Sequence, residues 1–313
     1  MRLKYVFLSI PFLFFSDTWF LENEDEFYPD CMPYTEFDLE VASNRICDAY
    51  DARTPYYTKS TSAAYLDSFP EITINLTYWV VNRKDGSSEN PIDSLKVKAS
   101  VAKLNESYRP LKINFQLKSF NVLRDSVLYW TSFSKFSSLA RQPEFVDTTA
   151  INIYMPFRFT NFKNNLRGAQ VSGNGIAINS FEYNTGILVH EIGHVFDLKH
   201  THRAFKAKNC ERVTRDETDP NYNADCAGDF VTDTGAMREL NNNTKYISQD
   251  CNYMGNLTDC DGTPYQIGPA EIKNFMSYTL QHCRDRFSIG QMIRVREYIQ
   301  TDPRGFAAKF VVE

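Results

Sequence analysis

Apolar and polar residues follow one another along the first two-thirds of the chain in a pattern that predicts strands and helices in turn. Residues 72–81 and 111–120 alternate and are rich in β-branched and aromatic residues, which favours strands, and the more apolar residues 150–155 predict a central strand. Residues 91–108 carry apolar side chains at helical spacing. A short run at residues 176–178 predicts a fourth strand, with a helix directly after it. This succession predicts a mixed α/β layer.

The C-terminal half has a different pattern. Residues 203–265 are rich in Asp, Asn, Thr and Gly, so we expect an irregular segment that disulfides or a metal ion must stabilise. Ser288 and Gln291 form a capping-box pattern, and the apolar residues after them predict a terminal helix. The whole pattern predicts an α+β fold that starts with a mixed sheet and its helices. An irregular part held by disulfides is expected to follow and to end in the C-terminal helix.

The N-terminal residues predict export from the cell. In residues 1–16, Arg2 and Lys4 precede an apolar run, which is typical of a secretory signal peptide. A short membrane anchor and a buried N-terminal strand are the alternatives. Residues 17–68 are aromatic and acidic without clear periodicity, and we interpret them as an N-terminal extension or pro-segment. Residues 69–313 then form the main folded domain.

The charge excludes some classes of partner. Loss of residues 1–16 removes two of the 34 basic residues and none of the 39 acidic ones, so the net charge changes from −5 to −7. A mildly acidic protein lacks the basic surface that nucleic acid requires. No later stretch approaches the roughly 20 apolar residues of a membrane span, so we expect no stable membrane anchor after signal cleavage.

Seven cysteines in an exported chain predict mostly disulfides. Five of them lie in the C-terminal half, and we expect four of these to pair with one another: Cys226, Cys251, Cys260 and Cys283. Four cysteines allow three connectivities, and the sequence does not choose between them.

The segment from His190 to His200 carries the chemistry. His190, Glu191 and His194 form the pattern H-E-x-x-H, in which the two histidines lie one helical turn apart on the same face. Three nitrogen ligands and one open position are typical of a catalytic zinc. His200 supplies a third nitrogen, and Glu191 stands beside the first ligand, where a general base is required. His202 and His282 are interpreted as structural or surface residues.

A continuous helix cannot bring these three histidines together. His200 follows His190 by ten residues, which on a helix is roughly 15 Å along the axis. The helix must therefore end shortly after His194, and the chain must turn back through a residue of positive φ, for which Gly is the usual choice. Asp197 lies three residues after His194. Because Asp is one of the few other residues that adopt this conformation, it is the predicted turn residue.

The segment resembles the elongated zinc signature H-E-x-x-H-x-x-G-x-x-H of the metzincin metalloproteases. Within that clan it is most similar to the pappalysins, also called cytophagalysin-like proteases, and it has Asp197 where the family has Gly. Residues 274–278, Asn-Phe-Met-Ser-Tyr, match the family's Met-turn. Further similarity lies in residues 228–234, Cys283 and residues 287–296, and the resemblance covers residues 72–301.

The resemblance implies a metzincin-like fold, in which the mixed sheet and its helices form an upper subdomain and the irregular, disulfide-held part forms a lower one. It also implies a role for each matching residue. Zinc would be bound by His190, His194 and His200. Glu191 would act as general base and then general acid. Met276 would form a hydrophobic floor beneath the metal, and the hydroxyl of Tyr278 would stabilise the oxyanion.

Two secondary sites also follow from the resemblance. Asp229 and Thr234 lie in a stretch similar to the family's structural calcium loop, and an acidic solvated loop is the alternative. Cys47 follows Arg45 in an Arg-x-Cys stretch, which in some pappalysins supplies a thiolate that caps the zinc before activation. A Cys31–Cys47 disulfide is the alternative for that cysteine.

We therefore predict a secreted zinc-dependent endopeptidase that acts on a protein or peptide substrate. The fourth strand, near residues 175–179, is the expected edge to which an extended peptide could add. One alternative is a catalytically inactive metzincin-like domain used for binding or adhesion. Such domains usually lose the glutamate or a ligand histidine, and this chain keeps all four. A zinc hydrolase that acts on a non-peptide amide is the other alternative.

Overall fold

A computed structural model describes residues 62–160, 166–171, 174–202, 211–225, 227–240, 243–302, 305 and 307–312. The predicted signal peptide, the extension up to residue 61, and the cysteines Cys47 and Cys226 lie outside the described residues.

The strands among the described residues are β1 (Ile72–Asn82), β2 (Ile113–Arg124), β3 (Trp130–Thr131), β4 (Ile151–Met155), β5 (Arg158–Phe159), β6 (Gly168–Val171) and β7 (Gly175–Ile178). Five of them form a sheet in the order β2-β1-β4-β7-β6, and β3 pairs with β5 separately. All pairings in the large sheet are parallel except the antiparallel pair β6 and β7. The four predicted strands are thus confirmed within a mostly parallel sheet.

The predicted position of the open sheet edge is wrong. Strand β7 pairs with β4 on one side, where Ile153 lies opposite Ile176, and with β6 on the other, where Gln170 lies opposite Ile176. In the sheet as described, β6 is therefore the edge strand and β7 is internal. The four residues of β6, Gly-Ala-Gln-Val, are too short and too weakly patterned to indicate a strand from sequence.

The helices within the described ranges are α1 (Ala63–Asp67), α2 (Ser94–Tyr108), α3 (Ser126–Tyr129), α4 (Phe133–Leu139), α5 (Gly186–Val195), α6 (Pro269–Ile272) and α7 (Ile289–Thr301). Short 3₁₀ turns occupy Arg109–Leu111, Pro143–Phe145, Ser180–Glu182, Gln281–Cys283 and Ala307–Phe310. Asp93 caps α2 by accepting hydrogen bonds from two backbone N–H groups. The predicted capping box at Ser288 and Gln291 is present at the start of α7. Across the described ranges, no helix has the length and apolar character needed to cross a bilayer.

Helices α2, α5 and α7 contribute to one continuous core with the sheet. Its apolar members include Leu76, Ile153, Val97, Leu104, Ile192, Val195 and Val295. The buried hydroxyl of Tyr108 donates to the backbone oxygen of Val189 at 3.0 Å. This bond fastens α5 to α2, so the helix that carries the histidines is held by both the sheet and a neighbouring helix.

The C-terminal half is irregular, as predicted. Between residues 211 and 268 the described residues contain only turns, bends and isolated bridges. A disulfide joins Cys251 to Cys283, which confirms one pairing within the expected set, and Cys260 is also disulfide-bonded. A separate apolar cluster around Leu240, Ile247 and Ile272 stabilises this part of the chain. The division into an upper and a lower subdomain stays a prediction.

Helix α1 packs on α7, although its residues were assigned to the N-terminal extension. Leu66 and Phe69 form a small core cluster with Ile293. The hydroxyl of Tyr65 donates to Glu297 at 2.9 Å, and Arg296 donates to the backbone oxygen of Pro70 at 2.6 Å. The last residues of the predicted extension therefore contribute to the packing of the C-terminal helix.

This packing predicts that α1 stabilises the domain. We expect Leu66→Ala to lower the free energy of unfolding by about 2 kcal/mol, because it removes buried apolar surface and leaves a cavity. The matched control is Leu95→Ala, since Leu95 is 71% exposed and should change stability by less than about 0.5 kcal/mol. Urea unfolding of both variants measures the difference. Equal stability of the two variants would contradict the packing.

Candidate metal centre

Helix α5 places His190 and His194 on one face, one turn apart. Thr185 caps the helix by accepting a hydrogen bond from the backbone N–H of Ile187 at 3.2 Å. Both histidines are buried. Their Nε2 atoms lie 3.1 Å from each other, so the two side chains point at a common position.

The chain turns back at Asp197, as the sequence predicts. The backbone N–H of Asp197 donates to His194, and that of Leu198 donates to Gly193, each at 3.0 Å. These two bonds form a Schellman motif, in which the residue after the helix cap adopts positive φ. Asp197 has a φ of 65°. The turn brings Nε2 of His200 to 3.2 Å from that of His190 and 3.0 Å from that of His194.

The three Nε2 atoms form a triangle whose size fits one zinc ion. Their separations run from 3.0 to 3.2 Å. Ligand nitrogens at the usual zinc distance and tetrahedral angle are about 3.3 Å apart. Among the described residues, these three histidines are also one of the groups whose ligand atoms could share a metal. The donor set and its spacing therefore fit zinc.

Hydrogen bonds to backbone carbonyl oxygens orient the imidazole rings of His190 and His194. Nδ1 of His190 donates to the oxygen of Phe275 at 2.7 Å, and Nδ1 of His194 donates to the oxygen of Leu198 at 2.8 Å. Because a carbonyl only accepts, the proton resides on Nδ1, and the lone pair of Nε2 faces the common point.

Burial keeps these imidazoles neutral. Burial, aided by the charge of Arg284, lowers the pKa of His190 to about 3. Burial also holds the pKa of His194 well below its usual value, with a smaller contribution from His190. A neutral imidazole is the form that binds a metal.

The Met-turn residues lie directly against this site. Met276 is fully buried, and a Cβ atom added to Gly193 would lie 2.8 Å from its Sδ. Phe275 accepts the hydrogen bond from His190, and the backbone oxygen of Met276 accepts one from Thr201 at 3.2 Å. The turn thus supports α5 on one side and the segment after His200 on the other.

The side chain of Glu191 extends from α5 towards the edge strand β6. Its side chain is fully buried. A Cβ atom added to Gly168 in β6 would lie 2.8 Å from Oε1 of Glu191 and 2.9 Å from its Cγ. Only glycine leaves room for the carboxylate at this place. Nothing local in the sequence marks Gly168 as the residue that covers Glu191, so its role could not be predicted from the sequence.

Tyr278 and His202 complete the aromatic surroundings of the site. Tyr278 is buried, and its ring centroid lies 4.7 Å from that of His200 and 6.0 Å from that of His190. His202 is 6% exposed, stacks on His200 at 5.0 Å and lies 4.5 Å from Tyr278. His202, which we interpreted as a structural or surface residue, therefore lies at the site, and its place two residues after His200 was the one local signal for this. His282 is exposed, as interpreted.

Asp229 and Thr234 are brought together in the C-terminal half. Oδ1 of Asp229 accepts from the Thr234 hydroxyl at 2.6 Å, and Oδ2 accepts from Gln291 at 3.0 Å. Gln291 in turn accepts from Asn274 of the Met-turn at 2.8 Å. Burial raises the pKa of Asp229 to about 6. These contacts make the pair part of a buried hydrogen-bond network, and a calcium ion at this place stays a prediction.

The chain is similar in sequence to two extracellular metalloproteases. No family model matches the chain. The chain is 25% identical over 244 residues to an extracellular metalloprotease of Neurospora crassa, a match that covers 72% of this chain and 74% of that protein. It is 24% identical over 255 residues to an extracellular metalloprotease of Sordaria macrospora, with 76% of this chain and 78% of that protein covered.

Among solved structures, the chain resembles mirolysin, which was determined in complex with a compound. The TM-score is 0.54 at 17% identity, and the match covers 78% of this chain and 97% of mirolysin. At this identity the match establishes a shared fold. The relatives, the fold and the three-histidine group together support a metalloprotease.

Proposed function

We propose that this protein is a secreted zinc-dependent endopeptidase of the pappalysin type. The observation that carries the proposal is the convergence of three buried Nε2 atoms within 3.2 Å of one another. Two of those rings are oriented by backbone carbonyls. A buried, neutral, all-nitrogen set with three protein ligands is typical of catalytic zinc.

His190, His194 and His200 would hold the metal. When bound, zinc acts as a Lewis acid towards the scissile carbonyl and lowers the pKa of water towards neutrality. Glu191 takes the proton of the attacking water and passes it to the leaving amine, so that it serves first as base and then as acid. The hydroxyl of Tyr278 donates to the oxyanion that develops on the substrate.

The position of the sheet edge is an argument for a peptide as the substrate. Strand β6 is the edge of the described sheet, and its first residue, Gly168, packs against Glu191. An extended peptide can add to such an edge through backbone hydrogen bonds. The scissile bond of that peptide would then run past the general base. This arrangement favours an endopeptidase over a hydrolase of small non-peptide amides.

An inactive binding or adhesion domain is the weaker alternative. Such a domain has no need to keep a glutamate buried beside three convergent histidines, as this chain does. Secretion is part of the proposal, and it is supported by the N-terminal sequence and by the extracellular relatives. A structural calcium at Asp229 and Thr234 and a zinc-capping thiolate from Cys47 are secondary proposals from the family resemblance.

The first test of the proposed mechanism is Glu191→Gln. We expect peptide cleavage to fall by about 1,000-fold, because the variant cannot accept the water's proton. Zinc content, measured by atomic absorption, should stay at the wild-type level. The matched control is Glu106→Gln, since the Glu106 side chain is 69% exposed on α2. Wild-type turnover by Glu191→Gln would refute the assigned role.

A second test uses the contact between Gly168 and Glu191. In Gly168→Ala the new methyl group would displace the carboxylate, and we expect kcat to fall about 100-fold with zinc content unchanged. The control is Gly186→Ala, because a Cβ atom there would meet its nearest neighbour at an ordinary 3.9 Å. Steady-state kinetics on a fluorogenic peptide measure both variants. If Gly168→Ala were as active as the control, Glu191 would not depend on this strand.

A further inference from the structure

Asp197 occupies a position for which glycine is better suited. Its φ of 65° lies in the left-handed region, which is strained for a residue with a side chain. The turn itself needs only the backbone, since both of its hydrogen bonds use main-chain atoms. The presence of a carboxylate at this place therefore requires a separate explanation.

The carboxylate of Asp197 contacts two cations. Oδ1 accepts from Nζ of Lys199 at 2.7 Å, and Oδ2 accepts from Nη2 of Arg294 at 2.7 Å. Nε of Arg294 also donates to the backbone oxygen of Asp197 at 3.1 Å. Arg294 thus contacts both the side chain and the main chain of one residue, in a forked geometry that only arginine offers.

These ion pairs are shielded from water. The side chain of Arg294 is 1% exposed, that of Lys199 10% and that of Asp197 24%. Although burial alone would raise it, the charges of Lys199 and Arg294 hold the pKa of Asp197 well below its usual value. Removing one partner of such a buried ion pair strongly destabilises the folded protein, because the charge of the other partner stays buried without compensation.

The ion pairs join the ligand turn to distant parts of the chain. Arg294 lies on α7 and also donates to the backbone oxygen of Asp229 at 3.3 Å. Leu198, the next residue after Asp197, supplies the carbonyl that orients His194. Lys199 directly precedes His200. A shift of Asp197 would therefore move the orienting group of one zinc ligand and the backbone of another.

We propose that Asp197 is a positioning residue whose ion pairs with Arg294 and Lys199 hold His194 and His200 in the metal-binding arrangement. The proposal rests on the proposed zinc-peptidase function. Glycine would relieve the strained turn but leave two shielded cations without their carboxylate. The side chain of Asp197 strains the turn, but its ion pair with Arg294 connects the metal site to the C-terminal helix.

The test measures zinc affinity of the apoprotein by competition with a chromogenic chelator. We expect Asp197→Gly and Asp197→Asn each to weaken zinc binding by 10- to 100-fold, the usual effect of removing a group that orients metal ligands. At saturating zinc, KM for a peptide should stay unchanged. Asp197→Asn keeps the shape of the side chain and its tolerance of positive φ, so it remains informative if the glycine variant folds poorly.

The control is Glu89→Gln, which removes the carboxylate of the exposed Arg83–Glu89 ion pair and should leave zinc affinity at the wild-type value. Combining Asp197→Asn with Arg294→Gln should weaken zinc binding less than the product of the two single effects, because both remove one interaction. Independent effects in this double variant would overturn the proposal.

The outcomes separate the two proposals. Wild-type zinc affinity in both Asp197 variants would show that Asp197 is only a turn residue, and the proposed peptidase function would stand. A wild-type protein that binds zinc but cleaves no peptide would refute the proposed function, and the affinities would still decide the role of Asp197. A wild-type protein that binds no zinc would overturn both.

Discussion

Three imidazole nitrogens must face one point, and the rest of the structure follows from this constraint. Two of the histidines are one helical turn apart, but His200 is ten residues from His190, so a helix has to stop and reverse within a few residues. The reversal requires a left-handed residue, and each ring needs a fixed orientation. Backbone oxygens of Phe275 and Leu198 provide that orientation for two of the rings. One oxygen belongs to the reversal itself, and the other comes from a residue 85 positions away.

The irregular C-terminal half is therefore part of the metal site. Its Met-turn packs under Gly193 and binds the segment after His200. The side chain of Asn274 donates to Gln291, which donates to Asp229. This network is buried and satisfied, so it can define one arrangement of residues 274–278, which form no helix or strand. The Cys251–Cys283 disulfide holds the same region by covalent means.

The proposed chemistry and the proposed peptide binding meet at the sheet edge. Strand β6 returns antiparallel beside β7, and its glycine faces the carboxylate of Glu191. The edge that could hold a peptide and the residue that would activate water are thus in direct contact. The helix that carries Glu191 also carries two of the three convergent histidines, so in the proposed reaction the position of β6 relative to α5 would set the geometry.

The sequence by itself determined the features that depend on residues close together along the chain. The spacing of His190, Glu191 and His194 specifies one helical face, and strand patterns placed β1, β2, β4 and β7. The need for a reversal pointed to Asp197. Only tertiary structure decided which strand forms the edge, which cysteines pair, and that Arg294 reaches Asp197 across 97 residues. The periodicity of apolar residues indicates that one face of an element is buried, but it does not indicate which distant residue covers that face.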